Sequence, residues 1–468
     1  MTNLNEIFNT QRVKTRTETP PTYEERRATL TKLIDLIQQH ENDICEAMHQ
    51  DFGNRCKVES MLGDIITALG GLKNDRRHLK KWMKPKKVKT TLQYLPGSSH
   101  IEYQPLGVVG IIAPWNYPFL LAISPAAQAL AAGNRVMLKP SEFTPNISAL
   151  LAKMINENFD PDYFTVITGD SQVGIEFSKQ PFDHLFFTGS TQIGRMVALA
   201  AAANLTPVTL ELGGKSPVIF SDNLNLQKLI PRMAFGKFLN GGQTCIAPDY
   251  AFVKKQNQDE FVEILQKTIK SFFPDGTNSS DYTSIINDRN YQRLNLLLED
   301  AEAKGAKIIQ IGDQESQSPH NSRQFPPTII LNVTDEMAIM QQEIFGPILP
   351  IMTYDNIDQA IKYINDHERP LSLYYFGDNK QEQRLLLDKT VSGGVSINDV
   401  LWHIVQDNLP FGGVGASGMG AYHGQHGFKT FSHQKAVFTQ SKFSTLFLLF
   451  PPYGKIVKSI IKLVKMIL

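Results

Sequence analysis

The sequence has few cysteines and no marked excess of charge of either sign. Its 468 residues include three widely spaced cysteines, which form neither a disulfide framework nor a zinc site with closely spaced ligands. We therefore expect no metal site, and we expect a reducing, cytoplasmic location. Lys and Arg number 47 against 46 acidic residues, so the net charge of +1 argues against a dedicated nucleic-acid partner.

Long apolar runs are also missing. No stretch approaches the roughly 20 apolar residues that cross a bilayer, and residues 1–16 lack the apolar core of an export signal. What is present, 42% hydrophobic and 20% charged residues, is typical of a globular enzyme. A chain of this length exceeds one compact core, so two or three lobes are expected.

The first hundred residues predict helices followed by a hairpin. Residues 22–50 follow one helical pattern, and Thr22 with Glu25 forms a capping box. Residues 58–82 predict a second helix, whose basic end is either solvated or a phosphate-binding patch. Residues 88–104 alternate around a Pro-Gly turn and predict a hairpin arm, whose unpaired edges invite another subunit.

From Leu106 onward, short apolar strands alternate with helices. The predicted strands are Val108–Ile112, Arg135–Lys139, 165–168, 184–187 and 208–212. This alternation predicts an α/β fold with a Rossmann-like, doubly wound parallel sheet, which binds its ligand at the carboxyl ends of the strands. A second α/β lobe is expected after Gly214, and the polar stretch 315–324 predicts a surface loop.

One cysteine stands in a setting suited to covalent chemistry. Cys245 follows the glycine pair 241–242, and glycine lets backbone approach a thiol closely. Upstream, a strand-like run delivers Glu211 into the glycine pair 213–214. A thiol and a carboxylate on separate segments suggest covalent catalysis at a carbonyl, with a nucleophile and a base.

Three further strand ends carry polar residues. The junction 188–194 offers free backbone N–H groups to a phosphate, although it is equally typical of an ordinary strand–helix turn. Lys139 and Glu142 can both hydrogen-bond the hydroxyls of a ribose. Asn116 stands between prolines, where it is either a turn residue or a rigid amide donor for an oxyanion.

The chain resembles the aldehyde dehydrogenase superfamily from about Arg26 to Gln440, and its motifs occur in the order typical of that family. The motifs that carry the resemblance are 114–118, 139–142, 187–190, 210–215, 238–245, 343–347 and 410–418. Residues 416–424 look like the class-three branch. Segments 51–53, 236–237 and 248–250 are similar to its bacterial coniferyl-aldehyde group.

The resemblance implies a role for each matching position. Cys245 would be the nucleophile, Asn116 an oxyanion donor and Glu211 the base that activates water. The implied cofactor residues are Lys139 and Glu142 at the adenosine ribose, Gly189 and Ser190 at the pyrophosphate, Glu343 at the nicotinamide ribose, and Phe345 and Trp115 near it. A carboxylate at position 142 repels a 2′-phosphate, so NAD is expected and NADP is the alternative.

The implied reaction is oxidation of an aldehyde to its acid through a cysteine thiohemiacetal and thioester. An aromatic aldehyde such as coniferyl aldehyde, or a medium- or long-chain aliphatic one, is the expected substrate. Two alternatives stay open: a CoA-acylating enzyme, and a catalytically idle binding protein on the same scaffold. The branch and the hairpin arm together imply a homodimer.

The resemblance also divides the chain. It implies an NAD(P)-binding domain of residues 1–87 and 105–210, a catalytic domain of residues 211–409, a bridging and oligomerisation arm of residues 88–104 and 410–440, and a tail of residues 441–468. In the tail, a helical wheel places Ile456, Val457, Ile460, Ile461, Leu463, Val464, Ile467 and Leu468 opposite Lys455, Lys458, Lys462 and Lys465. This pattern suits peripheral contact with an anionic membrane, or docking on the protein itself or on a twin subunit.

Three other residues invite a chemical interpretation. Cys45 lies in an apolar helical setting and is expected to pack in the core. Cys56, between Arg55 and Lys57, is expected to be exposed with a somewhat lowered pKa. His403 is expected to belong to the wall of the substrate site rather than to transfer protons.

Overall fold

A computed structural model describes residues 4–312, 323–444 and 446–467. The helices are α1 Leu4–Thr17, α2 Tyr23–Gln39, α3 Glu41–Phe52, α4 Lys57–Ser60, α5 Thr67–Trp82, α6 Leu120–Ala131, α7 Pro145–Asn156, α8 Ser171–Ser178, α9 Thr191–Ala202, α10 Leu226–Phe238, α11 Gln258–Phe272, α12 Asp288–Ala303, α13 Ala338–Gln341, α14 Ile357–Asp366, α15 Lys380–Lys389, α16 Gly424–Thr430 and α17 Lys455–Ile467. Most of the predicted loop 315–324 lies outside the described residues.

The strands form three sheets. They are β1 Lys86–Val88, β2 Ser98–Pro105, β3 Val108–Ile112, β4 Arg135–Lys139, β5 Phe164–Val166, β6 His184–Thr188, β7 Val208–Glu211, β8 Pro217–Phe220, β9 Tyr250–Lys254, β10 Lys307–Gln310, β11 Thr328–Leu331, β12 Ile348–Tyr354, β13 Ser372–Phe376, β14 Gly394–Ile397, β15 Gly418–Met419 and β16 Ser432–Thr439.

The first sheet has the order β15-β7-β6-β3-β4-β5, and all its pairings are parallel except that of the edge strand β15. Chain order reverses between β3 and β6, which is where a doubly wound sheet opens a crevice for its ligand. Both faces are covered: Val108 and Met137 pack with Phe8 on one side, while Val109 and Val136 belong to the main core on the other. Strands buried on two faces explain the continuous apolar runs in the sequence.

The second sheet has the order β10-β11-β12-β9-β8-β13-β14 and is parallel apart from the β10–β11 pair. The third is a small antiparallel sheet, β1-β2-β16, in which β16 pairs with β2 along eight residues. The predicted α/β fold with a Rossmann-like sheet, a second α/β sheet and a small β arm is therefore confirmed. Within segment 410–440, β15 joins the first sheet and β16 joins the arm. The division into domains stays a prediction.

The single helix predicted over residues 22–50 is wrong, because the chain forms two helices. The capping box at its start is present: the Thr22 hydroxyl accepts from the N–H of Glu25, whose carboxylate accepts from the N–H of Thr22. At His40 the backbone leaves the helical region, with φ −112° and ψ 16°. The ring of His40 hydrogen-bonds the side chain of Asp43 at 2.8 Å but caps no backbone N–H of the next helix.

The segment predicted as a helix over 58–82 contains a π-helical turn, Met61–Ile66, between α4 and α5. π-Turns of this kind are frequent at functional sites. Here a Cβ on Gly63 would lie 2.8 Å from the ring of Tyr117, so glycine permits the ring to reach the helix. The turn thereby brings α4 and α5 against the segment that carries Asn116.

The tail forms α17, in which Val457 is buried whereas Ile456, Ile461 and Met466 are exposed. The side chains of Leu463, Val464 and Ile467, and the whole of Leu468, lie outside the described part of the chain. In the residues that the structure describes, no helix has the length and apolar character needed to cross a bilayer.

Candidate active site

Cys245 ends a tight loop that follows α10. Asn240, Gly241 and Gly242 have φ values of 54°, 60° and 74°, a left-handed run that favours glycine. A Cβ on Gly241 would lie 2.9 Å from the carbonyl oxygen of Thr283, and one on Gly242 would lie 2.4 Å from that of Gly346. Backbone therefore approaches the glycine pair before the thiol as closely as predicted. Cys245 is partly exposed, whereas the other two cysteines are buried.

Glu211 is the last residue of β7 and is 3% exposed. Neither oxygen of its carboxylate has a hydrogen-bond partner among the described residues. Burial raises its pKa well above the ordinary value of a glutamic acid. An enclosed carboxyl group without partners is an expensive arrangement for a folded protein, and such groups concentrate at functional sites.

Asn116 lies between β3 and α6, beside the cysteine loop. Its side-chain amide donates to the carbonyl of Gln243 at 3.1 Å. Its own carbonyl accepts from Nη1 of Arg55 at 2.8 Å. Arg55 is in turn paired with Asp64, which accepts the backbone N–H groups at 119 and 120, and both side chains of the pair are fully buried. This ionic pair fixes the Asn116 segment from behind.

The predicted ribose and phosphate residues lie at the carboxyl ends of β4 and β6, the two strands that flank β3 in the first sheet. Nζ of Lys139 donates to Oε2 of Glu142 at 2.7 Å, at the end of β4. Ser190 caps α9, with its hydroxyl accepting from the N–H of Ile193 at 3.4 Å. Gly189 donates its N–H to the carbonyl of Glu211, so β6 and β7 stay aligned up to their ends. A dinucleotide fits this edge, because the strand order reverses there and α9 presents its N-terminus.

Glu343 approaches the same edge from the second sheet. Its carboxylate occupies the space beside Gly213, where a Cβ would lie 2.1 Å from Oε2. Burial, together with the charge of Asp249, raises the pKa of Glu343 to about 8. Phe345 has a φ of 48° and contacts Trp115 edge-on at 5.3 Å between ring centroids. The structure thus brings Glu343, Phe345 and Trp115 together with Glu211 and Cys245.

The electrostatics of the site favour the neutral thiol. Burial raises the pKa of Cys245, and the charges of Glu343 and Glu211 raise it further. Lys237, on α10, is 1% exposed, and burial lowers its pKa to about 8. In sequence it forms part of a helical run, so nothing local predicts that it is buried near the charges of Asp249 and Glu343. The sequence singles out position 237 only within a segment that carries the resemblance, and the structure makes it a candidate site residue.

Two other expectations can be checked directly, and that of His403 in the substrate wall stays a prediction. Cys45 is 4% exposed and packs in the main core, as expected. The expected exposure of Cys56 is wrong, because it is 5% exposed and burial raises the pKa of its thiol. The side chain of Arg55 is buried and pairs with Asp64, so it is not the solvated positive charge that was expected to lower the pKa of Cys56. His403 accepts or donates hydrogen bonds at both nitrogens, to Ser372 and Ser396 at 2.9 Å each, and burial lowers its pKa to about 4.

A Rossmann-like sheet whose carboxyl edge lies beside a partly exposed cysteine and an enclosed carboxyl is the arrangement of an α/β fold suited to covalent oxidoreductase chemistry. The aldehyde dehydrogenase family model matches residues 12–437, and the chain belongs to that family. It is an enzyme that oxidises aldehydes.

Named relatives agree with the resemblance. The probable coniferyl aldehyde dehydrogenase of Pseudomonas aeruginosa is 46% identical over 98% of this chain and 95% of its own length. Aldehyde dehydrogenase family 3 member A2 of Pongo abelii is 43% identical over 88% of this chain and 83% of its own. The predicted similarity to the class-three branch and to the bacterial coniferyl-aldehyde group is confirmed.

Solved structures agree on the fold. The substrate-bound state of Staphylococcus aureus AldH has a TM-score of 0.93 and 41% identity, covering 99% of this chain and 100% of that one. Mycobacterium tuberculosis aldehyde dehydrogenase in complex with NAD+ has a TM-score of 0.85 and 26% identity, covering 94% and 91% of the two chains.

Proposed function

We propose that this chain oxidises an aldehyde to its carboxylic acid with NAD or NADP, through a thiohemiacetal and a thioester on Cys245. One observation carries the proposal: an accessible thiol, an enclosed carboxyl and a side-chain amide converge where a dinucleotide-binding sheet ends. The thiol is on the loop after α10, the carboxyl of Glu211 ends β7, and the amide of Asn116 contacts the thiol's loop.

The chain's own groups perform two half-reactions. The thiol of Cys245 first releases its proton to solvent, and the sulfur then adds to the carbonyl carbon. The amide of Asn116 and the N–H of Cys245 stabilise the charge that develops on oxygen. Loss of hydride from the adduct leaves a thioester. Glu211 then takes a proton from water as the water attacks, which releases the acid and restores the thiol. Dividing the oxidation in this way lowers each barrier.

NAD is the proposed cofactor, and when bound it supplies the hydride acceptor. Lys139 and Glu142 are suited to the adenosine ribose, Ser190 and Gly189 to the pyrophosphate, and Glu343 with Phe345 and Trp115 to the nicotinamide half. The NAD+ complex of the Mycobacterium tuberculosis relative supports a dinucleotide here. The negative charge of Glu142 favours a 2′-hydroxyl over a 2′-phosphate.

An aromatic aldehyde such as coniferyl aldehyde is the proposed substrate. The name of the Pseudomonas aeruginosa relative supports this choice. Phe235 on α10 and Trp402 also stack at 6.4 Å with an interplanar angle of 11°, and both remain substantially exposed. A medium- or long-chain aliphatic aldehyde is the second candidate, since an apolar wall accepts either. Glu211 argues against a CoA-acylating reaction, because a thiol acceptor has less need of a base.

The function is tested by NADH formation with coniferyl, benzaldehyde-like and straight-chain aldehydes. Cys245→Ala is expected to abolish NADH formation with every substrate, because the covalent adduct cannot form. Cys45→Ala, which removes a thiol from the core, is the matched control and is expected to retain activity. Added CoA is expected to yield no acyl-CoA. Activity in the Cys245→Ala variant would overturn the mechanism, and an inactive parent would revive the idle binding protein.

We also propose that α17 contacts an anionic membrane surface. Its lysines 455, 458, 462 and 465 share one side, and exposed apolar groups Tyr453, Ile456 and Ile461 accompany them. A helix with an apolar face and a lysine face lies in a charged bilayer interface, where both faces are satisfied. The cytoplasmic location stays a prediction.

Liposome co-sedimentation tests the tail. Removing the residues after Pro452 is expected to abolish binding to vesicles that contain anionic lipid. Replacing Lys458 and Lys462 with Gln is expected to weaken it and to reduce its salt dependence, while neutral vesicles bind little of either protein. Unchanged binding after truncation would exclude this surface and favour docking on the protein or on its twin subunit.

A further inference from the structure

The cysteine loop begins with a non-glycine residue in the left-handed region. Asn240 has a φ of 54°. Asparagine tolerates this region better than most residues, because its short polar side chain can hydrogen-bond nearby backbone. Its side-chain amide donates to the carbonyls of Asn116 and Gln243 at 3.0 Å and 3.2 Å. These bonds secure the side chain of Asn240, whereas its backbone N–H needs a separate acceptor.

A carboxylate from α4 supplies that acceptor. Oε2 of Glu59 lies 3.1 Å from the backbone nitrogen of Asn240 and 2.6 Å from the hydroxyl of Thr283. The carbonyl of the same Thr283 is the group that would meet a Cβ on Gly241. Glu59 therefore ties the start of the cysteine loop to the wall against which the loop folds.

Both hydrogen bonds are best made by an ionised carboxylate. Charged, Glu59 accepts from the N–H of Asn240 and from the hydroxyl of Thr283 at once, and such bonds are stronger than neutral ones. Protonated, the carboxyl group must donate its own hydrogen, and Oε2 no longer serves two donors equally well. The loop is thus held more firmly by the charged form.

We propose that Glu59 is a positioning residue, whose ionised carboxylate holds the Asn240–Cys245 loop in the conformation that presents the thiol to the substrate. The inference rests on the proposed function, since Cys245 is taken as the nucleophile. Glu59 makes its hydrogen bonds to Asn240 and Thr283, not to Cys245, so it acts through the loop.

The charges around Glu59 set the pH range of the effect. Burial raises the pKa of Glu59 to about 7, the bonds from Thr283 and Asn240 and the charge of Arg55 oppose that rise, and Asp281 adds to it. The other titratable neighbours are Cys56, Tyr117 and Tyr282, each with a raised pKa and therefore neutral near pH 7. The loop is accordingly expected to be held above pH 7 and loosened below it.

The test measures the rate at which iodoacetamide alkylates Cys245 in the full chain, followed by mass spectrometry of the peptide that contains it. The rate in the parent is divided by the rate in Glu59→Gln at each pH, which cancels the titration of the thiol. Well above pH 7 the ratio is expected to be about tenfold, the effect of losing a charged hydrogen bond. Well below pH 7 it is expected to fall towards one.

Asp281→Asn is a second variant, chosen because it changes the charge near Glu59 without changing Glu59 itself. Asp281 is an exposed carboxylate that contacts the thiol of Cys56 at 3.6 Å and makes no hydrogen bond to the loop among the described residues. The charge of Asp281 raises the pKa of Glu59. In the Asp281→Asn background, the ratio is formed between the single variant and the Asp281→Asn, Glu59→Gln double variant. Its midpoint is expected to lie at lower pH than the midpoint of the original ratio. A merely structural role would not produce this shift.

Several outcomes overturn the inference. A ratio near one at every pH, or a ratio above one that does not depend on pH, excludes the ionised carboxylate as the positioning group. A melting temperature of Glu59→Gln well below that of the parent above pH 7 assigns the effect to lost stability. Alkylation needs no aldehyde or cofactor, so failure of the proposed oxidation would be seen separately, as missing NADH formation in the parent.

Discussion

Glu211 is the residue on which the second half of the proposed reaction depends. It ends β7, and both of its oxygens are enclosed without partners among the described residues. A base must be ionised to act, and burial raises the pKa of Glu211 well above its usual value. Hydrolysis of the thioester is therefore expected to accelerate as pH rises through that pKa. The rate of adduct formation is expected to depend instead on the ionisation of the Cys245 thiol.

Glu211→Gln separates the two half-reactions. The variant is expected to release a burst of NADH close to one equivalent per chain, because hydride transfer does not need the base. Steady-state turnover is expected to fall by about 10²–10⁴, the usual contribution of a general base. Stopped-flow absorbance of NADH measures both phases. A variant without a burst would assign Glu211 to adduct formation instead.

Glu211→Gln is expected to slow turnover but to stabilise the folded protein at alkaline pH. The raised pKa of Glu211 means that the folded protein binds a proton which the unfolded chain has released. The free energy of unfolding of the parent therefore falls as pH rises from the ordinary glutamate pKa towards the raised value. Glu211→Gln is expected to flatten this dependence and to melt at a higher temperature than the parent at alkaline pH.

Glu142 is expected to control the choice between NAD and NADP. Its carboxylate lies 2.7 Å from Nζ of Lys139, and the lysine is 2% exposed. Glu142→Ala removes the negative charge and leaves the ammonium free for a 2′-phosphate. The ratio of kcat/KM for NADP to that for NAD is expected to rise by about tenfold, an energy of about 1.4 kcal/mol. Glu157→Ala, at the opposite end of α7, is the control, and an equal ratio in both variants would contradict this role.

At the scale of elements, the loop after α10 depends on close backbone approach. Gly242 has a φ of 74° and a neighbouring carbonyl 2.4 Å from any Cβ, whereas Gly305 has a φ of 90° and open space around it. Gly305→Ala is expected to destabilise by about 1–2 kcal/mol, the cost of the left-handed conformation alone. Gly242→Ala adds a clash with backbone, so its loss of stability is expected to be at least twice as large, with loss of activity.

Urea unfolding midpoints measured side by side check this pair. Gly70→Ala completes the series, because Gly70 lies in α5 with nothing near its Cβ, and alanine there is expected to stabilise by about 0.5–1 kcal/mol. Equal effects of the substitutions at 242 and 305 would show that the loop can shift away from Gly346.

The same elements show which local signals suffice for prediction. The predicted bounds of β3 and β4 agree with the structure. Each is a short apolar run bordered by glycine or proline, so residues close in sequence are enough to predict it. The break at His40 was not predicted, since it depends on one backbone angle and a bond to Asp43 within an unbroken helical pattern. β5 ends at Val166, before the predicted end at 168.

For the whole molecule, the motifs predict the positions of the candidate site residues but not the contacts that hold them. Glu211 ends a strand, and Cys245 and Asn116 lie in loops after a helix and a strand, where glycine, proline and polar residues are conspicuous. Arg55 and Glu59 lie in a polar stretch that looks solvated, and only the fold turns them inward. Buried charges are recognised by their partners, which are distant in sequence, so residues alone did not reveal them.

The assembly of the molecule is predicted to depend on the outer edge of β16. This strand pairs with β2 along one edge, and no strand of the described chain pairs with the other. An edge eight residues long is a ready template for a second copy. We expect a homodimer by sedimentation equilibrium, with the arm as part of its interface.

Proline substitutions at Ala436 and Val437 test the arm, because successive N–H groups of a strand point to opposite edges. One of the two removes an N–H that bonds β2, and the other removes an outward N–H. The outward variant is expected to shift the protein towards monomer with little change in melting temperature, while its neighbour lowers the melting temperature. If both variants remain dimers at the parent's affinity, the edge of β16 takes no part in assembly, and the dimer must form through another surface.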